Sequence, residues 1–239
     1  MGLISAMRIL QVFGLATLFF ASTSHAAEPV DLELVLALDA SNSVSDQEFA
    51  LQAQGLAGAF GGDAVIQAVL EGAPGGVAVA VMQWSNAQHQ VTSVPWRVLR
   101  SAEDCRQLAA ELGAMKRRLK GGTAISGALA YAQGLILENA FEGVRKIIDV
   151  SGDGPDLHLV HVQRARDEAV GAGITINGLA IINEDEKLEA FYRHHVIGGN
   201  NAFVMTANDF SDYAAAIERK LLRELGVPQL AGLSEANWY

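Results

Sequence analysis

From residue 32 onward, short continuous apolar runs alternate with segments of helical periodicity, and this alternation restricts the fold more than any other feature of the chain. Runs at 32–38, 77–84, 90–94, 146–150, 174–182 and 202–206 read as strands. Pro95 follows the third of them, which places that strand at a sheet edge. Between the runs, Ser45-Asp-Gln-Glu48 forms a capping box that opens a helix reaching Phe60. Further helices are expected over 102–119, 125–137, 157–172, 186–195 and 209–225, and in 125–137 the residues Ile125, Leu129, Ala132 and Ile136 share one face. Continuous apolar strands separated by helices predict an α/β fold: a Rossmann-like, doubly wound, mostly parallel six-stranded sheet covered by helices on both faces. The expected strand order is 3-2-1-4-5-6, with strand 3 antiparallel.

Composition narrows the function classes. With 17 Lys+Arg against 27 Asp+Glu, the formal net charge is -10, which removes the broad basic surface that nucleic-acid binding needs. One cysteine, Cys105, excludes an internal disulfide, a Cys-rich zinc site and an iron–sulfur cluster. The N-terminus has its own pattern: Arg8 is the only charge before Glu28, residues 9–21 are largely apolar, and Ser22-Thr-Ser-His-Ala26 supplies small residues. This reads as a signal peptide over 1–26, cleaved after Ala26 with Ala27 as the near alternative. An uncleaved anchor needs roughly 20 apolar residues where this run has about 13. The expected product is a periplasmic or secreted protein with one domain over 27–225, a C-terminal tail over 226–239 ending in Trp238-Tyr239, and no membrane span in the mature chain.

In open α/β sheets, ligands sit beyond the carboxyl ends of the strands, where strand order reverses. After the first strand stands Asp39-Ala-Ser-Asn-Ser43, after the fourth Ser151-Gly-Asp-Gly154, and Gly121-Gly-Thr123 precedes a helix. Asp39, Ser41, Ser43, Thr123 and Asp153 together offer five oxygen groups and no nitrogen or sulfur, a donor set suited to Mg²⁺ first, with Mn²⁺ or Ca²⁺ as alternatives. Each piece alone also reads as cap or turn chemistry. Their joint occurrence after strands 1 and 4, which the expected order makes neighbours, favours a divalent-cation site.

At these residues the chain resembles a von Willebrand factor A (VWA) domain. The metal-ion-dependent adhesion site (MIDAS) of that family is an Asp-x-Ser-x-Ser loop, a later Thr and a later Asp-Gly, matched by Asp39, Ser41, Ser43, Thr123 and Asp153-Gly154 across about residues 30–225. More narrowly, it resembles exported bacterial proteins that consist of this domain alone and have no assigned function. The resemblance implies that the hydroxyls touch the metal, that the carboxylates act largely through bound waters, and that an Asp or Glu of a protein partner completes the coordination. One departure is visible: Gly152 stands where the family often carries Thr.

The remaining features are weaker. Asp149 reads either as a hydrogen-bonded buried acid or as a brace for a metal ligand, and Asp156 as a helix N-cap or an auxiliary ligand. His158 with His161, and the basic run 116–120, read as solvated helix faces, although the basic run also suits an acidic partner. His194-His195 fits a helix C-terminus, and Trp84 and Trp96 fit core or rim packing. No Gly-x-Ser-x-Gly elbow and no P-loop occur. The sequence therefore favours a non-enzymatic, metal-dependent protein-binding module; the alternative is a metal-dependent phosphatase or other hydrolase with Asp39 as nucleophile.

Overall fold

The computed structural model describes residues 26–183 and 185–226; the expected signal peptide and the tail ending in Trp238-Tyr239 lie outside the described residues, apart from Ala26 and Gly226. Six strands form one sheet: β1 (Glu28–Asp39), β2 (Val77–Trp84), β3 (Gln90–Leu99), β4 (Phe141–Gly152), β5 (Thr175–Ile181) and β6 (Val204–Ala207). Their order is β3-β2-β1-β4-β5-β6, and only the β2–β3 pairing is antiparallel. The expected fold class and strand order are both met. The β1–β4 register sets Leu38 against Ser151, so the loops that follow these central strands leave the sheet side by side.

Helices cover the two faces unequally. On one lie α1 (Asp46–Gly61), α2 (Asp63–Gly72), α3 (Ala102–Gly113) and α7 (Tyr213–Glu224), which bury Leu34, Leu36, Leu56, Phe60 and Ile217 among others. On the other lie α4 (Ile125–Leu137), α5 (Leu159–Gly171) and α6 (Leu188–Phe191), the last running into a π-helical turn, Tyr192–Val196; here Val35, Ala37, Ile148 and Val150 meet Ile125, Leu129 and Tyr192. The strand residues alternate between these two clusters, as the two-residue period of a strand requires. The Ser45 capping box forms as the sequence indicates: the Ser45 hydroxyl accepts from the Glu48 N–H, and the Glu48 carboxylate accepts from the Ser45 N–H.

Several elements depart from the sequence expectation: β1 and β4 begin earlier, at Glu28 and Phe141, the helix expected over 186–195 divides into α6 and the π-helical turn, α7 begins later, at Tyr213, and three further changes alter the architecture. Helix α2 is an addition: the Gly61-Gly62 pair ends α1, and Val65, Ile66, Ala68 and Val69 then bury one face of a separate helix. Strand β3 runs through Pro95 to Leu99, which its edge position permits, because the missing N–H faces no further strand and the β2–β3 register shifts nearby. Helix α3 stops at Gly113 rather than 119, so the basic run is not helical. The Gln83 side chain takes its backbone instead, donating to the Lys116 carbonyl at 2.8 Å and accepting from the Arg118 N–H at 2.7 Å.

Beneath the sheet's α7 face lies a buried charge cluster. Lys220 Nζ is 2.7 Å from Asp149 Oδ2 and 2.6 Å from Glu224 Oε1, and all three residues are at most 2% exposed. Asn177 donates to Glu224 Oε1 at 2.8 Å and accepts from the Phe203 N–H. Asp149 is thus the buried acid of its two readings, paired with a lysine from α7. Two carboxylates share one ammonium; burial pushes Asp149 up to about 7, against the pull of Lys220 and with the help of Glu224.

Lys220→Met would strand both carboxylates without a cation, and a loss of about 3–5 kcal/mol in urea unfolding is expected. A loss below about 1 kcal/mol would show the cluster to be dispensable. Asp149 also has a pH signature. Unfolded, its carboxyl titrates near 4; folded, near 7, so over this window the folded state keeps a proton that the unfolded chain has released. Its contribution is complete below about pH 4 and is lost as pH rises towards and beyond 7. Asp149→Asn, permanently neutral, should therefore improve relative to the parent chain between unfolding curves at about pH 5 and about pH 8. A difference that moved the other way would contradict the assignment.

Candidate metal centre

Two strand ends and one helix-leading segment bring the candidate ligands together. Asp39 closes β1, and its Oδ1 accepts from the Ser41 N–H at 2.7 Å, turning the loop so that Ser41 and Ser43 present their hydroxyls together, 3.0 Å apart. Ser43 then donates to Asp153 Oδ1 at 2.7 Å across the β1–β4 boundary. Thr123 approaches from the third segment: a Cβ placed on Gly154 would lie 3.8 Å from its hydroxyl oxygen. That segment is tied to the first loop in both directions, by the Asn42 N–H to the Gly121 carbonyl at 2.8 Å and by the Gly121 N–H to the Asn42 side chain at 3.0 Å. Gly121 has φ +146°, which favours glycine at this junction. All five sequence-identified residues therefore converge on one end of the sheet.

Burial and like charge dominate the electrostatics of this end. Asp39 is fully buried, and its Oδ2 makes no hydrogen bond among the described residues. Burial, and then the charge of Asp153, pushes its carboxyl up to about 7, while hydrogen bonds from Ser41 and from the Asp153 backbone hold it down. Arg117 reaches the loop, yet its guanidinium donates to the carbonyls of Ala40 and Ser41 and pairs with Asp46. No group of three or more His, Cys, Asp or Glu side chains suited to a metal occurs among the described residues. A cation here would rest on hydroxyls as much as on carboxylates, and an all-oxygen set with an orphaned buried carboxylate oxygen fits a hard divalent ion.

Arg117 and Tyr192 are contributions that sequence reading missed. The Tyr192 hydroxyl is buried without a hydrogen bond, and burial holds its proton well above the usual phenol range. A Cβ on Gly152 would stand 2.9 Å from both this hydroxyl and Asp39 Oδ2, and one on Gly178 would stand 2.5 Å from the Tyr192 ring. Two strand glycines thus clear a seat for the ring, and the phenol oxygen approaches the place where the VWA pattern often carries a threonine. The glycines are the signal a reader could have used, since a glycine inside a strand marks close approach of another group.

Other candidates resolve into structural roles. Asp156 Oδ2 accepts from the Ser126 N–H and hydroxyl and its Oδ1 from the His158 N–H, so it secures the start of α4 rather than capping α5 or standing open to a metal. His158 and His161 stack with ring centroids 5.7 Å apart. The carbonyls of His194 and His195 are met by Arg166, which takes the place at the helix end expected for the histidines. Trp84 is fully buried and donates to the Ala37 carbonyl. Cys105 is buried, and burial pushes its thiol up to about 11.

A family model described as protein of unknown function (DUF1194) matches residues 29–229. The chain belongs to this family. No curated protein matches it in sequence. Among solved structures, this DUF1194 chain is similar to the pilus adhesin SpaC from Lactobacillus rhamnosus GG in an open conformation, with TM-score 0.59 and 11% identity over 82% of this chain and 30% of that one. It is similar to a von Willebrand factor type A protein from Catenulispora acidiphila, with TM-score 0.57 and 20% identity over 82% and 43%. A third is proximal thread matrix protein 1 from the mussel byssus with a zinc-occupied MIDAS motif, with TM-score 0.56 and 18% identity over 82% and 48%. The DUF1194 chain thus spans between 30% and 48% of these proteins. At such identities the likeness establishes the VWA-type fold.

Gly152→Ala should cost about 1–3 kcal/mol in denaturant unfolding, because the new methyl meets Asp39, Tyr192 and the Trp84 ring at once. Adding Tyr192→Phe, which deletes one of the three contacts, should recover part of the loss. A Gly152→Ala chain as stable as its parent would show the seat to be loose.

Proposed function

We propose that this chain is an exported, metal-dependent protein-binding module. A signal peptide over 1–26 directs it to the periplasm or the medium, and a VWA-like domain over 27–225 carries the function. Asp39, Ser41, Ser43, Thr123 and Asp153 form a MIDAS-type site that holds a divalent cation, Mg²⁺ first and Mn²⁺ or Ca²⁺ as alternatives. A protein partner supplies an Asp or Glu carboxylate to the open coordination position.

The observation that carries this reading is the buried Asp39 Oδ2, which makes no hydrogen bond and lies in a loop whose hydroxyls reach Asp153. A carboxylate oxygen left unpaired in the interior is costly, and a cation reached directly or through water removes the cost. Neutral hydroxyls around the ion would leave it electrophilic enough to take an external carboxylate. The adhesin and byssus matrix neighbours add support by analogy of fold. The hydrolase alternative would need Asp39 as nucleophile, and neither a nucleophile elbow nor a P-loop accompanies it in the sequence. The reading therefore assigns no enzymatic activity.

Saturating Mg²⁺ or Mn²⁺ should raise Tm by roughly 5–10 °C, since about 2.7 kcal/mol accrues at a hundredfold excess over Kd in a domain of this size. Asp39→Ala should remain folded and lose that increment, as followed by thermal unfolding with metal and with chelator. An Asp39→Ala chain that kept the full metal-dependent rise would overturn the site.

A further inference from the structure

Between α3 and α4, residues 115–120 run without helical or sheet pairing, and every second side chain points outward: Lys116, Arg118 and Lys120 are exposed, while Met115, Arg117 and Leu119 are half-buried. The alternation has a cause in the backbone contacts. The Gln83 side chain holds Lys116 O and Arg118 N, and the Ser85 hydroxyl donates to Lys120 O at 3.3 Å, so positions 116, 118 and 120 all turn their backbones towards β2. Arg117, between them, is only 8% exposed in its side chain and braces Ala40 and Ser41, the start of the candidate metal loop. The row of cations is therefore fixed in place and contiguous with that loop.

Its charge has no ion-pair partner among the described residues. On the surface, Arg97, Arg100, Lys146, Arg164, Arg166 and Arg193 each face a carboxylate. Lys116, Arg118 and Lys120 form no ion pair among the described residues, although the chain carries a net charge of -10 and acids are abundant. A cleft of about 390 Å³ beside them is lined by Phe49, Ala53 and Met115, by Lys116, Arg117 and Lys120, and by Asp46, which pairs with Arg117.

From this geometry we propose that residues 116–120 are a docking strip for an extended acidic polypeptide segment of the partner, whose Asp or Glu side chains meet Lys116, Arg118 and Lys120 beside the carboxylate taken by the metal. The proposal deepens the metal-capture reading and rests on it for the position of that carboxylate. Alternate side chains of an extended segment repeat every ~7 Å, the same spacing that an extended peptide offers with acids at every second residue. That match of repeats selects a polypeptide over other polyanions, and exposed charges of this kind act mainly on encounter and specificity. The apolar residues of the cleft would take the side chains that lie between the acids.

The test uses the mature chain in Mg²⁺ with a fluorescent deca-glutamate peptide as probe, read by anisotropy at low and at high salt. Binding should be salt-sensitive, and the triple variant Lys116→Gln, Arg118→Gln, Lys120→Gln should bind about tenfold more weakly at low salt. The variant's metal-dependent rise in Tm should be unchanged, because the three side chains are exposed and none is a ligand. Equal binding by variant and parent, no binding by the parent, or equal or tighter binding of oligogalacturonate or oligodeoxythymidine would overturn the strip. Loss of the metal-dependent rise in the parent, with charge-dependent peptide binding intact, would instead overturn the metal reading and leave the strip standing.

Discussion

Parallel pairing of β1 with β4 is the constraint on which the rest depends. It sets Leu38 against Ser151, so the chain delivers Asp39 and Asp153 to neighbouring strand ends. Two acids at that place repel each other and one of them is fully buried, a situation that a folded protein does not sustain without hydroxyls, backbone N–H groups or a cation to answer it. The Ser41 N–H and the Ser43 hydroxyl answer in part.

The same strand, β4, meets a second buried acid by a different solution. Asp149 points to the α7 face, where Lys220 supplies a permanent counter-charge and Glu224 and Asn177 complete the cluster. Asp149, on β4, is thus answered by a lysine from within, whereas Asp39, at the end of β1, keeps one buried oxygen without a hydrogen bond among the described residues. The difference lies in position: the interior of the sheet is closed to solvent ions, whereas loops beyond the strand ends can be reached from outside. Arg117 gives its guanidinium to the Ala40 and Ser41 carbonyls and to Asp46, which braces the loop.

Most of the fold was legible because apolar runs in a parallel sheet are long, continuous and bounded by turn chemistry; 77–84 and 125–137 match β2 and α4 residue for residue. The five candidate ligands were legible because they follow strands in short loops of distinctive composition. What escaped was decided by distant partners. The end of α3 depends on Gln83, 33 and 35 positions before Lys116 and Arg118, and nothing local to the basic run reveals that its backbone is claimed. Lys220 reads as a surface residue of an amphipathic helix until Asp149 is known to lie beneath it. Helix α2 was missed because Gly61-Gly62 resembles the opening of a loop, and the short apolar stretch after it was too brief to assert a period.

The seat of Tyr192 couples two strands to one side chain. Its ring occupies space that Gly152 and Gly178 leave empty on adjacent strands, with contacts that no Cβ at either position could share. Positions 152, 178 and 192 therefore form a single steric unit: a larger side chain at either glycine requires the ring at 192 to shrink or move, so the three positions cannot be substituted independently of one another.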